Sequence, residues 1–96
     1  MTGAKHASEA ELQRLYQAFA DSRDSAQVEA LMEDLCTIRE IHEMAQRLTV
    51  ASMLDAGASY AAIEKATGAS ATTIARVSKC LNYGTGGYRA VMARER

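Results

Sequence analysis

The 96-residue chain contains no proline. Proline breaks helix interiors and marks turns, so its absence leaves room for long uninterrupted helices. Strand signals are also missing, because no stretch alternates apolar and polar residues with β-branched and aromatic enrichment. No apolar run reaches the roughly 18 residues that a membrane span needs. The start, Met1–Ser8, is small and polar and lacks the apolar core of a signal peptide, which predicts a cytoplasmic protein. Cysteine is scarce, at Cys36 and Cys80 only. Two cysteines are too few for the disulfide framework of a secreted mini-protein. No C-x-x-C or H-x-x-x-H spacing joins them to His6 or His42 as a zinc site. Two reduced thiols packed as small hydrophobes are expected, with no metal and no cofactor.

Catalytic patterns are absent as well. Nucleophilic catalysis needs a base beside Ser or Cys. Both histidines lie in the N-terminal half, and His42 sits between Glu40 and Glu43 with no nucleophile at helical spacing. The Gly84–Gly87 stretch, GTGG, lacks the preceding strand and the Lys-Ser/Thr of a phosphate loop. An enzyme is not expected.

What is present is helical. Hydrophobic residues make up 48% and charged residues 24%, as in ordinary globular proteins. A chain this short buries only about 60–65% of the surface it exposes unfolded, so pairing with a second copy is a natural way to complete a core. Residues 1–7 are expected to fray. Ser8 with Glu11 forms a capping-box pattern, followed by the stripe Leu12, Leu15, Tyr16 and Phe19. Asp21–Ser25 breaks that helix, and Ser25 is the expected cap of a second with the stripe Val28, Leu31, Met32 and Leu35. Its other face carries Glu29, Glu33 and Asp34, read as solvated. Thr37 with Glu40 predicts the start of a long third helix. Its apolar residues are Ile38, Ile41, Ala45 and Leu48, then Val50, Ala51, Met53 and Leu54. Gly57 stands where a left-handed helix end wants glycine.

The pattern changes after Gly57. SYAAIEKAT, residues 59–67, reads as a short helix; Gly68 follows; Ser70 caps a second helix, SATTIARVSKCLNY, that stops at Gly84. Short helix, glycine turn and second helix is the helix-turn-helix layout. Ile63 lies five residues before Gly68, and Ile74 and Val77 lie six and nine after it, where the two helices must clamp together. Leu81 continues that face. Glu64 falls where many such motifs keep a small residue, which predicts a wider crossing. The opposite face offers Thr72, Thr73, Arg76 and Lys79, with Ala71 and Thr72 small enough for close approach to base edges. Ser70, Thr72, Thr73 and the helix N-terminus suit phosphate, as do Lys65 and Lys79. A helical hairpin with a polar face and no DNA role is the plainer alternative. Residues 88–96 predict a terminal helix with Tyr88, Val91 and Met92 on its apolar side, its arginines either on phosphate or solvated.

The charge distribution favours DNA. Residues 1–58 carry five basic and ten acidic side chains, a balance of −5, whereas residues 59–96 carry six basic and two acidic, a balance of +4. An acidic scaffold joined to a basic half suits a nucleic-acid reader.

The blocks DLCT, REI, QRL, ATGAS, TIARV and CLNYG, within residues 34–84, closely resemble the small Trp-repressor-related proteins of the YerC/YecD type. The resemblance implies a single all-α, Trp-repressor-like domain: a dimerisation scaffold over 8–58, a helix-turn-helix over 59–83 and a C-terminal segment over 84–96. It implies an intertwined homodimer whose two heads meet double-stranded DNA about one helical turn apart, roughly 34 Å. It also places an effector pocket at Thr37, Arg47, Arg76, Val77 and Cys80. There the repressor has a glycine in place of Val77 and a serine in place of Cys80. Two extra methyls fill indole space and the lost hydroxyl removes a polar partner. Both weigh against tryptophan and leave room for a smaller effector. An intraprotein ion pair and a phosphate contact are the plainer roles for Arg47 and Arg76. The expected function is a sequence-specific DNA-binding regulator, a repressor; the alternative is a helical protein-interaction module with little DNA binding.

Overall fold

The computed structural model describes residues 6–96. Among them are six helices and no strand: α1 Glu9–Ala20, α2 Ser25–Leu35, α3 Ile38–Asp55, α4 Tyr60–Thr67, α5 Ala71–Tyr83 and α6 Gly87–Glu95. None is long and apolar enough to cross a membrane. Most of the expected fraying segment, residues 1–5, lies outside the described residues.

Local chemistry explains the helix ends. The Glu11 N–H donates to Ser8 Oγ at 3.1 Å, and the Ser8 N–H donates to Glu11 Oε1 at 2.8 Å, so the capping box is complete. These bonds from Ser8, the backbone one first, hold the Glu11 carboxyl below its usual range. The cap of α2 differs from expectation by one residue. Asp24, not Ser25, accepts from the Gln27 N–H at 2.9 Å. A carboxylate at a helix N-terminus also meets the positive end of the helix dipole, which a hydroxyl does less well. At the other end of α3, Gly57 takes a left-handed φ of 87°. The Ala58 N–H reaches back to Met53 O and the Gly57 N–H to Leu54 O, the nested pair of a Schellman stop.

The chain divides into two compact units, one ending at Ile38 and one running Arg39–Arg96. The first contains α1 and α2, and neither helix has a buried residue. Their apolar stripes stay partly open, with Leu15, Tyr16 and Leu35 exposed, as is Ile38 at the start of α3. The second unit holds the core. Val50 and Ala51 of α3, Ile63 of α4, Ala69 of the turn, Ile74 and Val77 of α5 and Met92 of α6 form one buried cluster. Met53, Leu54, Tyr88 and Val91 pack around it.

The last helix is tied down by charge as well as packing. Arg89 Nη1 donates to Asp55 Oδ1 at 2.9 Å, and Arg96 Nη2 binds the other Asp55 oxygen. Arg89 and Arg96 of the C-terminal segment are therefore both ion-paired within the protein. Asp55 is the last residue of α3, where a negative charge opposes the helix dipole, so the two guanidiniums offset an unfavourable placement. They hold the Asp55 carboxyl below its ordinary range, the Arg96 hydrogen bond most of all. The sign follows directly: this stabilisation is complete above the unfolded carboxyl value near 4 and fades as pH falls through the lowered folded value. Urea unfolding of wild type and Asp55→Asn from pH ~6 to ~2.5 should show a constant wild-type advantage above pH ~4 that shrinks below it.

Candidate nucleic-acid interface

The reading head is built from α4, a three-residue turn and α5. Ser59 caps α4 by accepting from the Ala62 N–H at 3.1 Å. Gly68 ends α4 with a φ of 75°, and its N–H bonds Glu64 O. The turn is then locked from inside. Thr67 Oγ1 donates to Ile63 O at 2.7 Å and accepts from the Ala69 N–H at 3.1 Å. Gln46 of α3 donates to Thr67 O at 3.0 Å, which ties the turn to the long helix. Ile63 and Ile74 are wholly buried and Val77 nearly so, as their spacing predicted. Glu64 is exposed, so it does not stand between the helices and gives no cause for a wider crossing.

The predicted contact residues divide. Ala71, Thr72, Arg76 and Lys79 are all exposed on α5, and Lys65 is exposed in the last turn of α4. Thr72, Arg76 and Lys79 recur at helical spacing and form one stripe. Among the described residues none of these cations makes an ion pair. Ser70 is committed differently: its Oγ accepts from the Thr73 N–H at 3.2 Å and donates to Thr73 Oγ1 at 3.1 Å. Its hydroxyl thus serves the cap and takes the Thr73 N–H, while the N–H groups of Ala71 and Thr72 stay open at the helix N-terminus. Thr73 is half-buried beside a cavity and stands away from the outer stripe. One residue escaped the sequence reading. Tyr83 is 87% exposed and lies on the same stripe, eleven residues after Thr72. The helical repeat 72, 76, 79, 83 was the available signal.

Behind the stripe lies a cavity of about 540 Å³, within the range of small-ligand sites. Arg47, Arg76, Val77 and Cys80, expected together from the resemblance, all line it. Glu43 and Gln46 of α3, Thr73 of α5 and Tyr88 of α6 complete the lining. Thr37 is not among these residues; it belongs to the first unit. The intraprotein ion pair given as a plainer role for Arg47 and Arg76 is not formed, since neither arginine pairs with a carboxylate among the described residues. Both cysteines are free thiols; Cys36 is half-buried, whereas Cys80 is exposed rather than packed.

The family model of the Trp repressor protein matches residues 10–96, which span the head, the cavity and both N-terminal helices. The chain belongs to the Trp repressor family. It is 45% identical over 84 residues to the uncharacterized protein YerC of Bacillus subtilis strain 168, covering 88% of this chain and 81% of that one. A TrpR-like protein from Eubacterium eligens ATCC 27750 shares the fold at a TM-score of 0.85 and 41% identity, with 88% of each chain covered. A candidate Trp repressor from Staphylococcus aureus does so at 0.86 and 36%, covering 92% of this chain and 88% of its own. The all-α, Trp-repressor-like architecture and the family read from the sequence both hold.

In this Trp-repressor-like head the turn depends on Gly68. A Cβ there would meet nothing within 4 Å, so the cost of substitution is conformational alone. Gly68→Ala should therefore destabilise by about 1–2 kcal/mol, and Gly68→Asn by less, because Asn tolerates the left-handed region. Denaturant unfolding of the three proteins checks the order.

Proposed function

We propose that the protein is a sequence-specific DNA-binding transcriptional regulator, a repressor, that acts as a homodimer through α4 and α5. The observation that carries the reading is the outer stripe of α5. Thr72, Arg76 and Lys79 stand exposed and without ion-pair partners beside a helix N-terminus where the Ser70 cap leaves the Ala71 and Thr72 N–H groups open. Phosphate is neutralised by such cations and base edges are read by such small polar side chains. Lys65 adds a cation at the end of α4, and Tyr83 adds a hydroxyl donor at the far end of the stripe. The Trp repressor family is one of regulators rather than enzymes, and a cytoplasmic location accords with a DNA target.

The dimer rests on the first unit. Two amphipathic helices without a single buried residue do not make a core alone, and short helices need packing to persist. A second copy of the same stripes supplies it. Residues 8–58 then act as the scaffold and 59–83 as the head, the two heads lying about 34 Å apart on DNA. The cavity beside the stripe holds two unpaired guanidiniums, so a small anionic effector suits it, while Val77 and Cys80 in its wall argue against tryptophan.

Two measurements test this. Purified protein is mixed with fragments of its own genome at about 50 and about 200 mM salt, where phosphate contacts weaken. A few fragments sharing a two-fold site should survive the higher salt, and Arg76→Ala and Lys79→Ala should each reduce the salt slope by about 1. Unselective or absent binding would transfer the helices to a protein-interaction role. Sedimentation should give the mass of a dimer. Ile38, 75% exposed in the single chain, is the probe: Ile38→Glu should shift the protein to monomer without unfolding the second unit.

A further inference from the structure

Three acceptors from two helices converge on one side chain of the last helix. Arg89 Nε donates to Leu81 O at 3.1 Å, Nη2 to Asn82 Oδ1 at 3.0 Å and Nη1 to Asp55 Oδ1 at 2.9 Å. Leu81 O belongs to the last turn of α5, where carbonyls have no partner within their own helix. That turn contains no basic residue of its own. Asp55 ends α3, whose last turn is likewise without a cation. A single guanidinium in α6 thus closes the C-terminal ends of α3 and α5 together, in the planar fork geometry that only arginine provides. Asn82 is held in turn by its own donation to Ser78 O at 2.9 Å.

Resting on the reading of α5 as the recognition helix, we propose that Arg89 is a positioning residue for DNA selection: it fixes the far end of α5 to α3 and so sets the tilt at which Thr72 and Arg76 meet the groove. Buried side chains hold α5 along one face, at Ile74, Val77 and Leu81. Apolar burial is non-directional. The Arg89 fork adds a directional anchor at the last turn of α5, joined through Asp55 to α3, and that anchor fixes the tilt. Selection of one site over others depends on that tilt, because base-edge contacts fail with small displacements, whereas phosphate contacts from mobile Lys and Arg side chains adapt.

The alternative role for Arg89, a direct phosphate contact, predicts a different response from its partner. Removing the negative charge of Asp55 would free Arg89 and strengthen DNA binding if Arg89 touched phosphate. It should weaken selective binding if Arg89 positions α5. The experiment measures affinity of full-length wild type, Arg89→Ala, Arg89→Lys and Asp55→Asn for a selected genomic fragment and for unrelated duplex, across a salt series, with helical content checked by circular dichroism. The expected result is at least a tenfold loss of preference for the selected fragment in both Arg89→Ala and Asp55→Asn, with unrelated-duplex affinity and the salt slope unchanged. Lysine, whose compact ammonium lacks the planar fork, should recover little of it. Asn82→Ala, which removes one of the three acceptors, guards against a variant that fails to fold and should give an intermediate loss. A wild type that selects and an Asp55→Asn variant that selects within threefold of it would overturn the positioning role alone. A shallower salt slope in Arg89→Ala would overturn it in favour of phosphate contact. If wild type selects no DNA, the regulator reading fails and the positioning role fails with it.

Discussion

Val50, Ile63 and Ile74 come from three different helices and share one solvent-free cluster. Almost everything else in the second unit depends on that contact. The helices of a helix-turn-helix are short, and α4 has only 8 residues, too few to persist alone. Burial of Ile63 against Ile74 and the long α3 gives it a reason to form. The turn between α4 and α5 is then held by hydrogen bonds too local to fold it unaided: Thr67 onto Ile63 O and the Ala69 N–H, Gln46 onto Thr67 O. The apolar cluster sets where the helices cross, and the polar bonds set the turn.

The polar side of the head follows from that burial. Because Ile74, Val77 and Leu81 face inward, Thr72, Arg76, Lys79 and Tyr83 must face outward. The same rotation puts Thr73, Arg76, Val77 and Cys80 beside α3 and Tyr88, around the cavity. Arg76 therefore belongs to two surfaces at once, the outer stripe and the cavity wall. Any occupant of the cavity that engaged this guanidinium would alter the outer face directly, with no long path of coupling between them.

Charge is distributed by the same logic. The basic surplus of residues 59–96 is not all available to DNA, since Arg89 and Arg96 are spent on Asp55. What remains on the head is Lys65, Arg76 and Lys79, a small set on a chain with net charge −1. With so few cations in each head, two heads on one duplex would double the phosphate contacts, which gives a dimer an electrostatic role beyond that of completing the core. In the proposed dimer, the unburied stripes of the first unit would provide the apolar surface for such pairing.

Helix starts and stops, the glycine turn, the clamp of Ile63, Ile74 and Val77 and the stripe of Thr72, Arg76 and Lys79 were legible in the amino-acid sequence alone. All are written in periods of three to seven residues or in caps that act within one turn. The family was legible for the same reason, since its blocks lie in those local patterns. Where two local signals competed, the sequence was ambiguous: Asp24 and Ser25 are both good caps, and only the position of the Gln27 N–H separates them. Tertiary structure decided the rest. It took Thr73 into a cavity wall, although Thr73 stood among the expected contacts, whereas Ser70 serves the cap its position already predicted. It paired Arg89 and Arg96 with Asp55 across 34 and 41 residues of chain. Such pairs depend on how helices pack, and a charge in the sequence states its sign without naming its partner.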